Sequence, residues 1–433
     1  MLDNAIEPLT DLLPPTATTL AVTTATMNVV ELAGPHALRL ARRTIPDTPA
    51  DGVLMKTLTT SICSTDVSFV EGNLYPDAYP IVLGHEYLGK VIDIGPDLAA
   101  EGSVQVGDRV VYWGQTDYDG FAEYRTLRPV FANQRKTDEF TADRYFTDDH
   151  RAAAVVIPPS LPDIGASLLE PTTGVMRSLL GNPPGVGDRV LILGAGPIGI
   201  IAGRLLSKSF ATSRVVVLDS NVARNARAET LFADQAVTLP ELKHIDLDYF
   251  DYVFDCLPTI NSADEEHDPR RVAMRRLRPG GRYVLYGASQ QMQKFDTWLL
   301  LAKGIKMTSS PFDVRAFPMH RTAAVIKAAL HAVLSGVVNV SDRSGDSCPP
   351  VLGLRRSGPH PRELPHHHRS EDGHRLPGLN SPAKSRSCQR PPVGSQLKPP
   401  SGRPSRGRPR RLLPPVATRL VLGGKRRLLT SPD

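Results

Sequence analysis

The chain has 433 residues, 41% of them hydrophobic, and a formal net charge of +6, enough length for two domains that each bury a core. The charge is uneven: residues 341–433 hold 19 Lys and Arg against 6 Asp and Glu, 16 of the 39 prolines, and no Phe, Trp, Tyr, Ile or Met, so the first 340 residues are net −7 and cannot owe a general nucleic-acid affinity to charge. Cysteines at 63, 256, 348 and 388 show no regular spacing, which argues against a disulfide framework, and no apolar run approaches membrane-spanning length; these features predict a cytoplasmic protein.

The first 26 residues carry Asp3, Glu7 and Asp11 where a secretory signal needs positive charge, and they are expected to be a disordered extension or the product of an upstream start codon. From Met27 to about Pro171 short apolar runs are broken by Gly, Pro and Asp, as in Ile81-Val-Leu, Lys90 to Ile94 and Asp108 to Tyr112, so a mostly β domain is expected over 27–171. Over 172–309 strands alternate with helices: Val190–Leu193, Val215–Leu218, Tyr252–Phe254 and Tyr283–Tyr286 are the predicted strands. Alternation of this kind implies an α/β, doubly wound parallel sheet. The turn Pro279-Gly-Gly leads into the last of these strands, and Thr322–Leu334 is an amphipathic helix that, within 310–340, returns toward the first domain.

The turn Gly194-Ala195-Gly196-Pro197-Ile198-Gly199 follows the first strand of the second domain and opens a helix. Small residues there let the backbone approach a pyrophosphate and aim free helix N–H groups at its charge. Asp219, twenty residues beyond Gly199, ends the next strand, where a carboxylate can accept from the hydroxyls of an adenosine ribose and repel the extra phosphate of NADP. NAD is therefore the expected cofactor, with NADP second. Arg224 is open between a contact to the adenosine ribose, a phosphate ligand and a solvated surface charge.

Cys63-Ser-Thr65-Asp66 is followed by Gly84-His85-Glu86-x-x-Gly89, then Gly95, Gly107-Asp108-Arg-Val110, Glu170-Pro171 and the glycine turn. Singly, Cys63 is an ordinary small buried side chain and His85, Glu86 and Glu170 are ordinary polar residues; their joint order is what carries information. That order resembles the zinc-dependent medium-chain alcohol dehydrogenase family over about residues 27–340. The resemblance implies a GroES-like catalytic domain, a Rossmann coenzyme domain and an active site in the cleft between them. It also implies one catalytic zinc on Cys63, His85 and either Glu170 or Glu86, able to lower the pKa of an alcohol ligand while hydride passes to the nicotinamide. Thr65 would pass the alcohol proton toward the cofactor ribose, and Asp66 would orient the His85 ring.

Two departures narrow the expectation. Tyr112 to Tyr124 contains no cysteine, so the structural zinc lobe of many relatives is ruled out, and together with Glu170 this points to the polyol or sorbitol-like branch. The expected substrate is a sugar alcohol, a cyclitol or an aminocyclitol, and the resemblance implies a homodimer or homotetramer. Ser64 stands where glycine is common, and its β-carbon could narrow the cleft. A zinc-free quinone or enoyl reductase-like protein is the alternative. After Val340 the wording turns Arg/Pro/Ser/Gly-rich, as expected of a frameshift near 341, and 341–433 is expected to be disordered. Arg406-Gly-Arg-Pro409 resembles an AT-hook, giving a further alternative, an inactive or truncated paralogue whose basic tail binds nucleic acid, and His366 to His368 could bind metal; both matches are short enough to be incidental.

Overall fold

The computed structural model describes residues 25–114, 118–132, 151–260, 264–287, 290–311, 317 and 319–339. These belong to the first of two compact units, Met1–Gly358; the second, Pro359–Asp433, lies outside the described residues, as do residues 1–24 of the expected N-terminal extension, the frameshift, the AT-hook-like stretch and the histidine triplet, whereas Thr26, expected in that extension, already pairs in the first strand, whose partner at that position is Thr44.

The first half is built from β1 (Thr26–Leu32), β2 (Leu38–Thr44), β3 (Val53–Ser61), α1 (Ser64–Val70), β4 (Ile81–Val82), β5 (Glu86–Ile94), α2 (Pro96–Glu101), β6 (Arg109–Trp113), β7 (Tyr124–Val130) and β8 (Arg151–Val156). Strands β3, β5, β6, β8 and β7 close into a barrel, while β2, β1 and β4 form a small separate sheet. Alternation drives the closure: Val53, Met55, Tyr87, Val91, Val110 and Tyr112 point inward and are fully buried, each such side chain contributing about 1.5–3 kcal/mol of apolar burial.

The second half runs through α3 (Asp163–Ala166), α4 (Leu169–Gly181), β9 (Arg189–Leu193), α5 (Pro197–Ser209), β10 (Arg214–Leu218), α6 (Val222–Leu231), β11 (Gln235–Val237), α7 (Leu239–Leu242), β12 (Phe250–Asp255), α8 (Pro269–Arg276), β13 (Leu277–Leu285), α9 (Thr297–Lys303), β14 (Lys306–Ser309) and α10 (Met319–Leu334). Its six strands are parallel in the order β11-β10-β9-β12-β13-β14. Both faces are covered, which is why β9 reads as an unbroken apolar run. Val190 and Ile192 pack with α4, α5 and α10, whereas Leu191 and Leu193 pack with α7 and α8.

Helix α4 begins at Leu169, so the boundary expected between 171 and 172 runs through its first turn. Helix α10 returns to the barrel: Ala323 packs on Val130 and Ala153. The buried Arg177 of α4 pins this return, with its guanidinium 4.4 Å from the Trp113 ring, 4.2 Å from that of Phe317, and Nε donating to Thr322 Oγ1 at 3.0 Å.

Candidate active site

Strand pairing brings the first cluster together. Ser61, at the end of β3, lies opposite Glu86, at the start of β5, so Cys63 just beyond one strand meets His85 and Glu86 at the mouth of the other. One ligand atom from each of Cys63, His85 and Glu86 lies within 4.8 Å of the others. Gly84 makes the approach possible: its φ is +93° and a Cβ there would stand 2.9 Å from Phe121 Cδ1.

Asp66 ties the two loops. Its Oδ2 accepts from the Cys63 N–H at 2.8 Å and its Oδ1 from the Gly84 N–H at 3.1 Å, while His85 Nδ1 stands 3.8 Å from Oδ1, beyond hydrogen-bond reach. The carboxylate thus holds the backbone on either side of the cluster rather than gripping the imidazole directly. Thr65 Oγ1 accepts from Cys63 Sγ at 3.7 Å.

Charge makes the cluster costly without a counterion. Burial, then the nearby Glu86 and Asp66 carboxylates, push the Cys63 thiol up to about 12. Burial pulls His85 toward neutrality, but the charges of Asp66, Glu170 and Glu86 together outweigh it and raise its pKa. Burial raises Asp66 as well, against the His85 attraction. A thiol, an imidazole and a carboxylate gathered with buried acids suit a divalent cation, whose charge would favour the thiolate and the neutral ring. The buried His85 Nδ1 has no hydrogen-bond partner.

Glu170 lies on the first turn of α4, buried and close enough to act on His85, but outside the group formed by Cys63, His85 and Glu86. Three neighbours went unnoticed in the sequence. The Tyr118 ring packs edge-on to His85 with centroids 6.0 Å apart, and its carbonyl accepts from Arg125 Nη1 at 2.6 Å. Tyr286, just past β13, sits near Glu170, Cys256, Cys63 and Glu86, whose charges add to burial in raising its phenol well above the ordinary value. Its hydroxyl lies where a Cβ on Gly174 would approach to 2.5 Å, with the unpartnered Trp113 Nε1 at 3.4 Å from the same point. The one signal for Tyr286 in the sequence is its place at the end of the last apolar strand.

The second cluster lies at the carboxyl ends of β9 and β10. Gly196 caps α5, Pro197 and Ile198 begin its first turn, and the space beside Gly196 is open, with nothing within 4 Å of where a Cβ would stand. Gly199 is required for close packing, since a Cβ would fall 1.8 Å from the Gly194 carbonyl oxygen. The Asp219 carboxylate accepts from the Ala195 N–H at 2.9 Å and the Asn221 N–H at 2.8 Å. Arg224 Nη1 lies 3.7 Å from Asp219 Oδ2. Free N–H groups at the start of α5 and the acid beside them fit the pyrophosphate and ribose of a dinucleotide.

Comparisons with known proteins agree with this picture. The profile of the alcohol dehydrogenase GroES-like domain matches residues 49–130. Sorbitol dehydrogenase of Rattus norvegicus is 30% identical over 210 residues, 46% of this chain and 57% of that protein. Sorbitol dehydrogenase of Halalkalibacterium halodurans is 25% identical over 276 residues, 60% of this chain and 76% of that one. Galactitol-1-phosphate dehydrogenase from Escherichia coli shares the fold with a TM-score of 0.56 at 17% identity, over 72% of this chain and 90% of its own. The chain spans little more than half the length of several curated relatives it matches, the rat enzyme among them. Among the described residues no helix is long and apolar enough to cross a membrane. With a GroES-like barrel joined to a Rossmann sheet, the chain carries an alcohol dehydrogenase GroES-like domain over residues 49–130 and is similar in sequence to sorbitol and threonine dehydrogenases.

Proposed function

We propose that the chain is an NAD-dependent dehydrogenase that oxidises a secondary alcohol of a sugar alcohol, cyclitol or aminocyclitol to the ketone. The observation that carries this reading is the approach of Cys63, His85 and Glu86 ligand atoms to within 4.8 Å of one another, in a chain whose parallel sheet also carries a glycine turn that opens α5. These three residues would hold one zinc ion, with Glu170 facing the same group from α4. When bound, the metal supplies Lewis acidity toward an alcohol oxygen and the nicotinamide supplies the hydride acceptor.

The chain's own groups do the rest. Asp66 fixes the spacing of the two ligand loops through Cys63 N–H and Gly84 N–H. Thr65 takes the alcohol proton and passes it toward the cofactor ribose, a role supported by the 3.7 Å separation of its Oγ1 from Cys63 Sγ. Asp219 selects NAD by accepting from the ribose hydroxyls and repelling a phosphate; Arg224, 3.7 Å from that carboxylate, is partly neutralised as a phosphate ligand. A homo-oligomer fits the edge at β14, which pairs with no further strand among the described residues, and the exposed Trp298 (71%) and Leu301 (77%) of α9.

Metal analysis together with an NAD⁺ reduction screen across sugar alcohols, inositols, aminocyclitols and monohydric secondary alcohols tests the reading. About one zinc per chain and turnover confined to polyhydroxylated substrates are expected. Metal-free protein without alcohol oxidation would instead support the quinone and enoyl reductase-like alternative.

A further inference from the structure

Beyond β12 the chain carries a buried network that neither the metal cluster nor the glycine turn uses. Asp255, the last residue of β12, is fully buried and Arg270 of α8 is 2% exposed; Arg270 Nε donates to Asp255 Oδ2 at 2.7 Å. Every nitrogen of the guanidinium has an assigned partner. Nη1 donates to Gln293 Oε1 at 2.7 Å, and Nη2 to the Leu257 and Pro258 carbonyls at 3.2 and 3.0 Å. Asp255 is equally engaged: Oδ1 accepts from the Leu257 N–H at 2.9 Å, Oδ2 from the Tyr283 hydroxyl at 2.8 Å, and its carbonyl from the Tyr286 and Gly287 N–H groups, both at 2.9 Å. Gln293 Oε1 also accepts from the Ile260 N–H at 2.8 Å.

The network joins two segments, the loop after β12 and the segment after β13, beyond the carboxyl ends of two adjacent strands. A buried ion pair is a poor device for net stability, because desolvation offsets much of the attraction. A fork fixed on two successive carbonyls and a side-chain amide does, however, define the path of a loop. That path bears on the coenzyme site: Leu257 Cδ2 would lie 3.5 Å from a Cβ on Gly194, so the loop walls the glycine turn on the β12 side. In a doubly wound sheet the adenosine half of a dinucleotide sits over the strand pair ending in the ribose-binding acid, here β9 and β10, and the second half crosses the switch point to the other side.

We propose that Arg270 is a positioning residue for the nicotinamide half of the coenzyme, acting through the loop Leu257–Pro258 and through Gln293. The inference rests on the dinucleotide reading above, and the experiment separates the two. Binding of NADH and of ADP-ribose, which lacks the nicotinamide, is measured by titration calorimetry on the wild-type full chain and on Arg270→Met, Arg270→Lys and Gln293→Ala. NADH is expected to bind about 10-fold more weakly to both Arg270 variants, because lysine cannot reproduce the fork, and about 3-fold more weakly to Gln293→Ala. ADP-ribose affinity is expected to stay within about 2-fold of wild type throughout. Equal weakening of both ligands, no weakening of NADH, or full recovery in Arg270→Lys would each overturn the proposal. Should Arg270→Met fail to fold, Gln293→Ala decides by the same NADH to ADP-ribose comparison. A wild-type chain that binds neither ligand refutes the dinucleotide reading itself, and the positioning role with it.

Discussion

Replacing Asp66 with Asn changes one buried atom and probes how the two ligand loops are held. The native carboxylate is an acceptor at both oxygens, for Cys63 N–H at 2.8 Å and Gly84 N–H at 3.1 Å. Asparagine keeps one acceptor and turns an NH₂ toward the other donor, so one backbone N–H is left without a partner in a site that is 2% exposed. An orphaned buried donor costs about 1–3 kcal/mol, and Asp66→Ala, which orphans both, should cost roughly twice that. Because the loops carry Cys63 and His85, zinc affinity should fall about 10- to 100-fold in Asp66→Asn. Urea unfolding of the metal-free protein, followed by tryptophan fluorescence, gives the first quantity, and competition with a chromophoric zinc chelator gives the second. An Asp66→Asn chain with wild-type midpoint and wild-type zinc affinity would refute the claim that this carboxylate couples the loops.

Other consequences are equally direct. Zinc affinity should rise about 10-fold per pH unit between pH 6 and 8, since at least one proton must leave Cys63, whose thiol stands at about 12 without metal; chelator competition across that range reads the slope. The same shift has a sign for stability: above pH 9 the unfolded thiol ionises while the folded one stays protonated to about 12, so the metal-free protein should lose stability as pH rises through that window, measured as a falling urea midpoint. Glu86→Gln should strip zinc from the purified protein, whereas Glu170→Gln should retain it, as elemental analysis will report; the reverse pattern would exchange their roles. Gly199→Ala forces a Cβ to 1.8 Å from a backbone carbonyl, which should destabilise by the upper end of about 1–3 kcal/mol and abolish NADH binding seen by fluorescence titration. Asp219→Ala should lower the NAD⁺ to NADP⁺ ratio of kcat/KM by about 10-fold, measured with each coenzyme on one substrate.

Local chemistry in the sequence was sufficient to mark several of the strands, the glycine turn and the residues from which the two candidate sites are built. The apolar runs that became β9, β10 and β12, the glycine turn before α5 and the acid ending β10 are each visible within a few neighbours, because strand burial and turn geometry are short-range demands. Only the tertiary structure brings Cys63 to His85 and Glu86: Ser61 pairs opposite Glu86 in the β3–β5 ladder, and that register gathers the three while Glu170 lies nearby on α4. The same holds for Tyr286 beside the cluster and for Arg270 fastened to Asp255 and the loop after β12, residues that read in sequence as an ordinary strand end and one arginine among many. The physical reason is that periodicity reports which face of an element is buried. What that face meets is fixed by strand register and helix crossing, through pairings between segments far apart along the chain.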